Sequence, residues 1–186
     1  MIAMFPELKS ERLNLSKIEK SDSAAVFSLF SDDAVTHYYD LATFETPEQA
    51  DSLIQLFNSR YEAQLGIRWA IRLQAGGDLI GTCGFNVWSP KMQNAVIGYD
   101  LMPIHWGRGY AREAVSTILN LAFGGGLVCG PLHRIQADTV PGNHASESLL
   151  RNLGFKDEGL RREAGFWKGR FHDLKCFGLL KSEFKA

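Results

Sequence analysis

The sequence predicts a mixed α/β (α+β) fold, and three observations carry the prediction. Apolar residues alternate in several short runs, as in Trp69, Ile71 and Leu73. Other segments repeat apolar residues at helical spacing, most clearly Ala111, Ala114, Val115, Ile118, Leu119 and Ala122. The period switches from two to helical across His105-Trp106-Gly107-Arg108-Gly109. Strands before and after helices suggest one mixed sheet flanked by helices. The 186 residues suit a single domain, taken as 1–186, at roughly 100–200 residues per domain. That length is enough to bury a real core.

In chain order, Arg12-Leu13-Asn14-Leu15 reads as a strand. A helix follows, capped by Ser21 or Asp22, with Ala25, Val26, Leu29 and Phe30 on one face. Thr46-Pro47-Glu48-Gln49 starts the next: Thr46 caps, Pro47 suits the first turn and Gln49 completes a capping box. Leu53, Ile54, Phe57, Tyr61 and Leu65 continue it until Gly66. After the Trp69 strand, Gly76-Gly77-Asp78 turns the chain and Leu79 to Val87 returns. A further strand spans about Ala95 to Met102 and leads to the Ala111 helix. Arg134 to Val140 is a strand. A short helix with Ser146, Leu149, Leu150 and Leu153 on one face then ends at Gly154. Phe155–Arg162 and His172–Leu180 close the chain as strands.

Composition excludes several classes. Lys and Arg number 20 and Asp and Glu 21, a net charge of −1, so the chain is no strongly basic nucleic-acid binder. No apolar run approaches the ~18 residues of a membrane span. Met1-Ile2-Ala3-Met4-Phe5-Pro6-Glu7 lacks the features of a signal peptide. Cys83, Cys129 and Cys176 are far apart and odd in number. They suggest a reduced, cytoplasmic protein without a disulfide frame, and no His/Cys/Asp spacing suggests a metal site.

The segment that carries chemistry is Trp106-Gly107-Arg108-Gly109-Tyr110-Ala111 between a strand and a helix. Glycine admits positive φ and close backbone approach. A helix start presents unpaired N–H groups and the positive end of the dipole. Together they form an anion site suited to phosphate, and Arg108 and Arg112 add charge. A dinucleotide fingerprint wants Gly or Ala where Arg112 stands, and no Gly-Lys-Ser/Thr supports a P-loop.

Trp106-Gly107-Arg108-Gly109-Tyr110-Ala111-Arg112-Glu113-Ala114 resembles the acetyl-CoA pyrophosphate loop of the GNAT superfamily of N-acetyltransferases, most of all its RimJ/RimL-like branch. Further ordered segments share the resemblance. They include Ser10-Glu11-Arg12-Leu13-Asn14-Leu15, Ile97-Gly98-Tyr99-Asp100-Leu101, Asn143-His144-Ala145-Ser146 and Gly169-Arg170-Phe171-His172-Asp173. The resemblance implies a mostly antiparallel sheet whose fourth and fifth strands splay apart. The pantetheine arm of CoA would pair with backbone in that gap, around Leu101 and Met102. N–H groups of Gly107, Arg108, Gly109, Tyr110, Ala111 and Arg112 would hold the pyrophosphate. Asn143 matches an asparagine that contacts the pantetheine region. Acetyl-CoA is the implied cosubstrate, a primary amine the acceptor, and a homodimer a possible assembly.

Thioester aminolysis needs a neutral amine, a stabilised carbonyl oxygen and a thiolate that can leave. Backbone N–H near Leu101 or Met102 suits the second need. For the third, many family members use a tyrosine seven residues after the asparagine, where this chain has Leu150. Others use a serine three residues after it, which makes Ser146 the expected donor. A base glutamate of the branch aligns with Gly165; Glu163 lies two residues away, on the same face if the strand continues. His144, His105 and Asp100 are further candidates for the base. A strong base is dispensable for an α-amine of pKa about 8, about a tenth neutral at pH 7, but not for a lysine of about 10.4.

Residues 1–104 carry 8 Lys/Arg and 13 Asp/Glu, and residues 105–186 carry 12 and 8. A basic cofactor half and an acidic substrate half suit an anionic and a cationic ligand. Raising salt is therefore expected to weaken both CoA and amine binding, and titrations indifferent to salt would contradict this. The acceptor reads as a protein N-terminus or a small amine. The alternatives are a CoA-sensing module of the same fold without turnover, and a nucleotide-dependent oxidoreductase, which Arg112 disfavours.

Overall fold

The computed structural model describes residues 4–185. Strands β1 (Leu8–Lys9) and β2 (Leu13–Lys17) form the first hairpin. Helices α1 (Ser23–Phe30), α2 (Asp33–Thr36) and α3 (Pro47–Glu62) follow. A meander of β3 (Ile67–Leu73), β4 (Leu79–Ser89) and β5 (Asn94–Leu101) leads to α4 (Tyr110–Phe123). The chain closes with β6 (Arg134–Thr139), α5 (His144–Asn152), β7 (Lys156–Trp167) and β8 (Arg170–Leu180). One sheet holds all eight in the order β1-β2-β3-β4-β5-β6-β8-β7. Every pairing is antiparallel except β5 with β6.

That exception makes the site. Asn94, Ala95 and Val96 pair with Arg134, Ile135 and Gln136, and there the ladder stops. From Ile97 to Leu101, β5 keeps β4 on one edge and leaves the other open. With the two-residue β1 set aside, these are the fourth and fifth strands, and the expected splay is present.

Alternation assigns each face its helices. Trp69, Cys83, Phe85 and Ile97 pack against Val115, Ile118 and Leu119 of α4. Ala70 and Leu79 pack on the opposite face with Val26, Leu29 and Phe30 of α1 and Ile54 of α3. Ile118 and Leu119 lose all exposure, each contributing about 1.5–3 kcal/mol. The helix starts follow the sequence signals. The Gln49 side chain accepts the Thr46 N–H at 2.9 Å, with Pro47 opening α3. The α1 start differs slightly, since a single 3-10 turn at Lys20–Asp22 precedes it. The Asp22 carboxylate there accepts the Glu19 N–H at 2.7 Å and pairs with Arg72 at 2.7 Å.

Three features depart from expectation. Helix α2 and strand β1 are too short to leave a periodic signal. The closing hairpin runs further than expected, to Trp167 and Arg170. It also bulges: Arg161 faces Leu174 and Gly165 faces His172, so β7 spends two extra residues there.

Candidate active site

The anion loop is built by two left-handed glycines. Gly107 has φ 71° and Gly109 φ 81°. Gly109 caps α4 without a side chain, leaving the first-turn N–H groups for a ligand. Arg12 of β2 ties the loop down. Its Nη1 donates to the Arg108 carbonyl at 2.9 Å and its Nε to Glu113 at 2.7 Å, and its guanidinium lies 4.5 Å from the Tyr110 ring centre. Burial favours a neutral Glu113, but hydrogen bonds from Ser10 and Arg12 outweigh it and hold the carboxyl below its ordinary range. Arg108 and Arg112 are exposed and have no acidic partner among the described residues. Arg134, the first residue of β6, pairs with Glu158 at the closed end of the strand gap.

The loop stands at the mouth of the gap. Met102 donates its N–H to Ile80 at 2.8 Å and accepts the His105 N–H at 2.9 Å, so both of its backbone groups are committed. Alternation along an extended strand then turns the Leu101 N–H away from β4, toward the gap. The Leu101 carbonyl accepts from Trp106 Nε1 at 2.7 Å. The Leu101–Met102 pair thus narrows to one donor, Leu101 N–H.

The far wall of the gap is the start of α5. Asn143 caps it, its Oδ1 accepting the Ser146 N–H at 3.2 Å. The Asn143 Nδ2 has no partner among the described residues. The Ser146 hydroxyl lies 2.6 Å from the Tyr99 hydroxyl. Tyr99 is on β5 beyond the last residue paired to β6, so this contact bridges the two walls. Burial pushes the Tyr99 phenol up to about 12, and its hydrogen bond with Ser146 acts in the opposite direction. Tyr99 was legible only as part of a strand motif. Leu150 has no exposure and belongs to the core, so a tyrosine there has no room.

The candidate bases separate clearly. Asp100 is buried and spent on Arg68, whose Nη2 lies 2.5 Å from its Oδ2. Thr82 N–H and Oγ1 also donate to it, and Tyr39 Oη does so at 3.3 Å. Glu163 must be corrected. It lies in the β7 bulge at φ 50°, exposed, its N–H held by Asp173. The bulge breaks the parity that put it on the face of position 165. At Gly165 itself a Cβ would fall 2.1 Å from the Trp167 ring, so no carboxylate fits there. His144 is exposed at the start of α5. Burial, then Arg108, lowers the His105 pKa, and its Nδ1 is buried without a partner.

The four tryptophans divide between core and rim. Trp69 and Trp88 are core, while Trp106 is half exposed at the gap mouth and Trp167 stacks on His172 at 3.9 Å. Burial pushes the Cys83 thiol up to about 12, which makes it inert. No metal-binding group of His, Cys, Asp or Glu occurs among the described residues, nor any helix long and apolar enough to cross a membrane. On the α3 face a cavity of about 330 Å3 is lined by Tyr39, Leu41, Leu53, Phe57, Arg68 and Asn86, among others. Arg68 and Asn86 crowd over Gly98 of β5, within 2.8 Å of where its Cβ would stand. The cavity wall is therefore the back of the open strand.

An open strand edge able to pair with an amide-bearing arm, ending at a loop built for a pyrophosphate, defines a fold for transfer from a CoA thioester. Residues 12–156 match the acetyltransferase (GNAT) domain, and the chain belongs to that family. The uncharacterized N-acetyltransferase YoaA of Bacillus subtilis (strain 168) is 39% identical over 178 residues, 96% of this chain and 98% of its own length. A GNAT acetyltransferase structure from Bacillus anthracis has a TM-score of 0.81 and 27% identity, covering 97% of this chain and 100% of that one. A Salmonella typhimurium acetyltransferase that modifies the N-terminal serine of ribosomal protein L7/L12 has a TM-score of 0.80 and 21% identity, covering 92% and 96%. The protein is an acetyl-CoA-dependent acetyltransferase.

Proposed function

We propose that the protein transfers acetyl directly from acetyl-CoA to a primary amine of low pKa, an α-amine of a peptide or a comparable small amine. The observation that carries this reading is the gap, with donors on both walls and no buried, unpaired carboxylate within it among the described residues. The N–H groups from Gly107 to Arg112 hold the pyrophosphate, aided by Arg108 and Arg112. Asn143 Nδ2 meets the pantetheine arm. Leu101 N–H receives the carbonyl oxygen as it gains charge, and Ser146 Oγ donates to the departing sulfur.

The amine attacks the thioester carbon, the C–N bond forms and the C–S bond breaks. The surplus ammonium proton passes to water. Because Asp100 is ion-paired and Glu163 lies out in the hairpin bulge, neither carboxylate takes the proton, which favours an amine that arrives already neutral. An α-amine does so far more often at pH 7 than a lysine. Its substituent would enter the cavity behind β5, whose lining joins Leu41, Leu53 and Phe57 to the charged Asp40 and Arg60 and the ion-paired Arg68.

An acceptor panel tests this. Thiol release from acetyl-CoA is expected to be faster with short peptides bearing a free α-amine than with N-capped peptides bearing only lysine, and Ser146→Ala is expected to lose about tenfold or more in kcat. Good turnover of lysine side chains with none of α-amines would overturn the acceptor assignment. An unaltered Ser146→Ala would remove the serine from it.

A further inference from the structure

Leu150 closes off the route by which a phenol would reach the sulfur from α5, yet a phenol enters the gap from the opposite wall. We infer that Tyr99 is a positioning residue for acetyl transfer: its hydroxyl donates to Ser146 Oγ and so aims the Ser146 hydrogen at the departing sulfur. This rests on the reading of Ser146 as the sulfur's donor.

Three observations support it. The two oxygens are 2.6 Å apart, and the contact joins residues 47 positions apart across the opening in the sheet. Tyr99 Oη also lies 3.5 Å from the Ser146 carbonyl, and no other hydrogen-bonding partner of this phenol occurs among the described residues. The Ser146 backbone is itself fixed, because its N–H is held by the Asn143 cap.

Hydroxyl stoichiometry then decides the outcome. A serine hydroxyl has one hydrogen and two lone pairs. Free to rotate, it would spend that hydrogen on the nearest acceptor. Accepting from Tyr99 occupies a lone pair and leaves the hydrogen for the sulfur. Burial holds the phenol at about 12, so it remains a donor wherever the enzyme works. A thiol titrates near 8.5, so the phenol does not surrender its proton to the thiolate. The C–S bonding pair leaves on sulfur, the thiolate is held by Ser146 Oγ–H, and Tyr99 keeps its hydrogen throughout. Tyr99 acts by fixing a direction, not by transferring a proton.

The test compares Tyr99→Phe, Ser146→Ala, Ser146→Thr and the Tyr99→Phe/Ser146→Ala double variant. The readouts are kcat, KM for acetyl-CoA and the ionisation of bound CoA followed by thiolate absorbance. Tyr99→Phe keeps the ring and its packing. It is expected to lose about tenfold in kcat, with KM for acetyl-CoA within about twofold, and to raise the pKa of the bound thiol. Ser146→Thr, which keeps the hydroxyl, is expected to retain most of the activity, and the double variant to lose no more than Ser146→Ala. If Ser146→Ala is impaired while Tyr99→Phe matches the wild type in kcat and thiol ionisation, the positioning role is overturned and the serine reading stands. If Ser146→Ala is itself unaltered, the serine reading fails first. Should Tyr99→Phe melt early, the wild-type pH profile still decides. Loss of kcat as a tyrosinate forms in the range where bound thiol ionises would contradict a phenol that keeps its proton.

Discussion

Asp100→Ala is expected to destabilise the protein by about 3–5 kcal/mol, because it strands a buried guanidinium. The Arg68 and Asp100 side chains are each 2% exposed. Arg68 spends its Nε on Thr82 at 2.8 Å, Nη1 on Asn86 at 3.0 Å, and Nη2 on Tyr39 and Asp100. Burial alone would favour a neutral Arg68, but the Asp100 carboxylate beside it keeps it charged, and the neutral Tyr39 hydroxyl accepts from its Nη2. Without Asp100 that charge has no counterion. The network sits where β5 has lost β6, so it ties the open strand back to β3 and β4. Its loss is expected to loosen Tyr99 and Leu101 as well, lowering kcat beyond the loss of folded protein. Denaturant unfolding measures the first effect. A loss under about 1 kcal/mol, the range of an exposed pair, would contradict the account. Replacing both partners, Arg68→Met with Asp100→Leu, is expected to recover much of the stability but not the activity.

Gly109→Val is expected to weaken CoA binding at least tenfold, about 1.4 kcal/mol. Gly109 holds φ 81° as the cap of α4, a conformation that costs a β-branched residue about 1–3 kcal/mol. A Cβ there also falls 3.3 Å from Nη2 of Arg12, whose Nη1 and Nε pin the loop. To relieve either strain the loop has to turn its N–H groups off the pyrophosphate. Gly107 supplies the control. It too has positive φ, but nothing lies within 4 Å of its Cβ position. Asn tolerates that conformation, so Gly107→Asn is expected to bind CoA within about threefold of wild type. Titration calorimetry measures both. A Gly109→Val affinity equal to wild type would mean that the loop does not hold the phosphates.

What the sequence made legible was local. The anion loop rests on glycines two residues apart before an apolar helix, and Asn143 and Ser146 lie within one turn of each other. The splay was legible through family likeness, and the three-residue β5–β6 ladder bears it out. The Tyr99–Ser146 contact was not legible, since it joins residues 47 apart on different elements. The Arg68–Asp100 pair spans 32 residues, so Asp100 could be read as a candidate base while its ion partner stayed hidden. Glu163 was misplaced for a different reason. Strand parity carries a side chain to the right face only while the register holds, and β7 gains two residues between Arg161 and Gly165. Met102 looked equivalent to Leu101 until its N–H proved to be held by Ile80.

The measurement that tests the central claim most directly is multiple-turnover thiol release from acetyl-CoA with an α-amine peptide, followed in parallel with CoA binding. Catalysis through the gap predicts many equivalents of thiol per enzyme, strictly dependent on the amine, and a much reduced rate in Ser146→Ala with CoA affinity preserved. Tight CoA binding with no amine-dependent thiol release would contradict it and leave a CoA-sensing module.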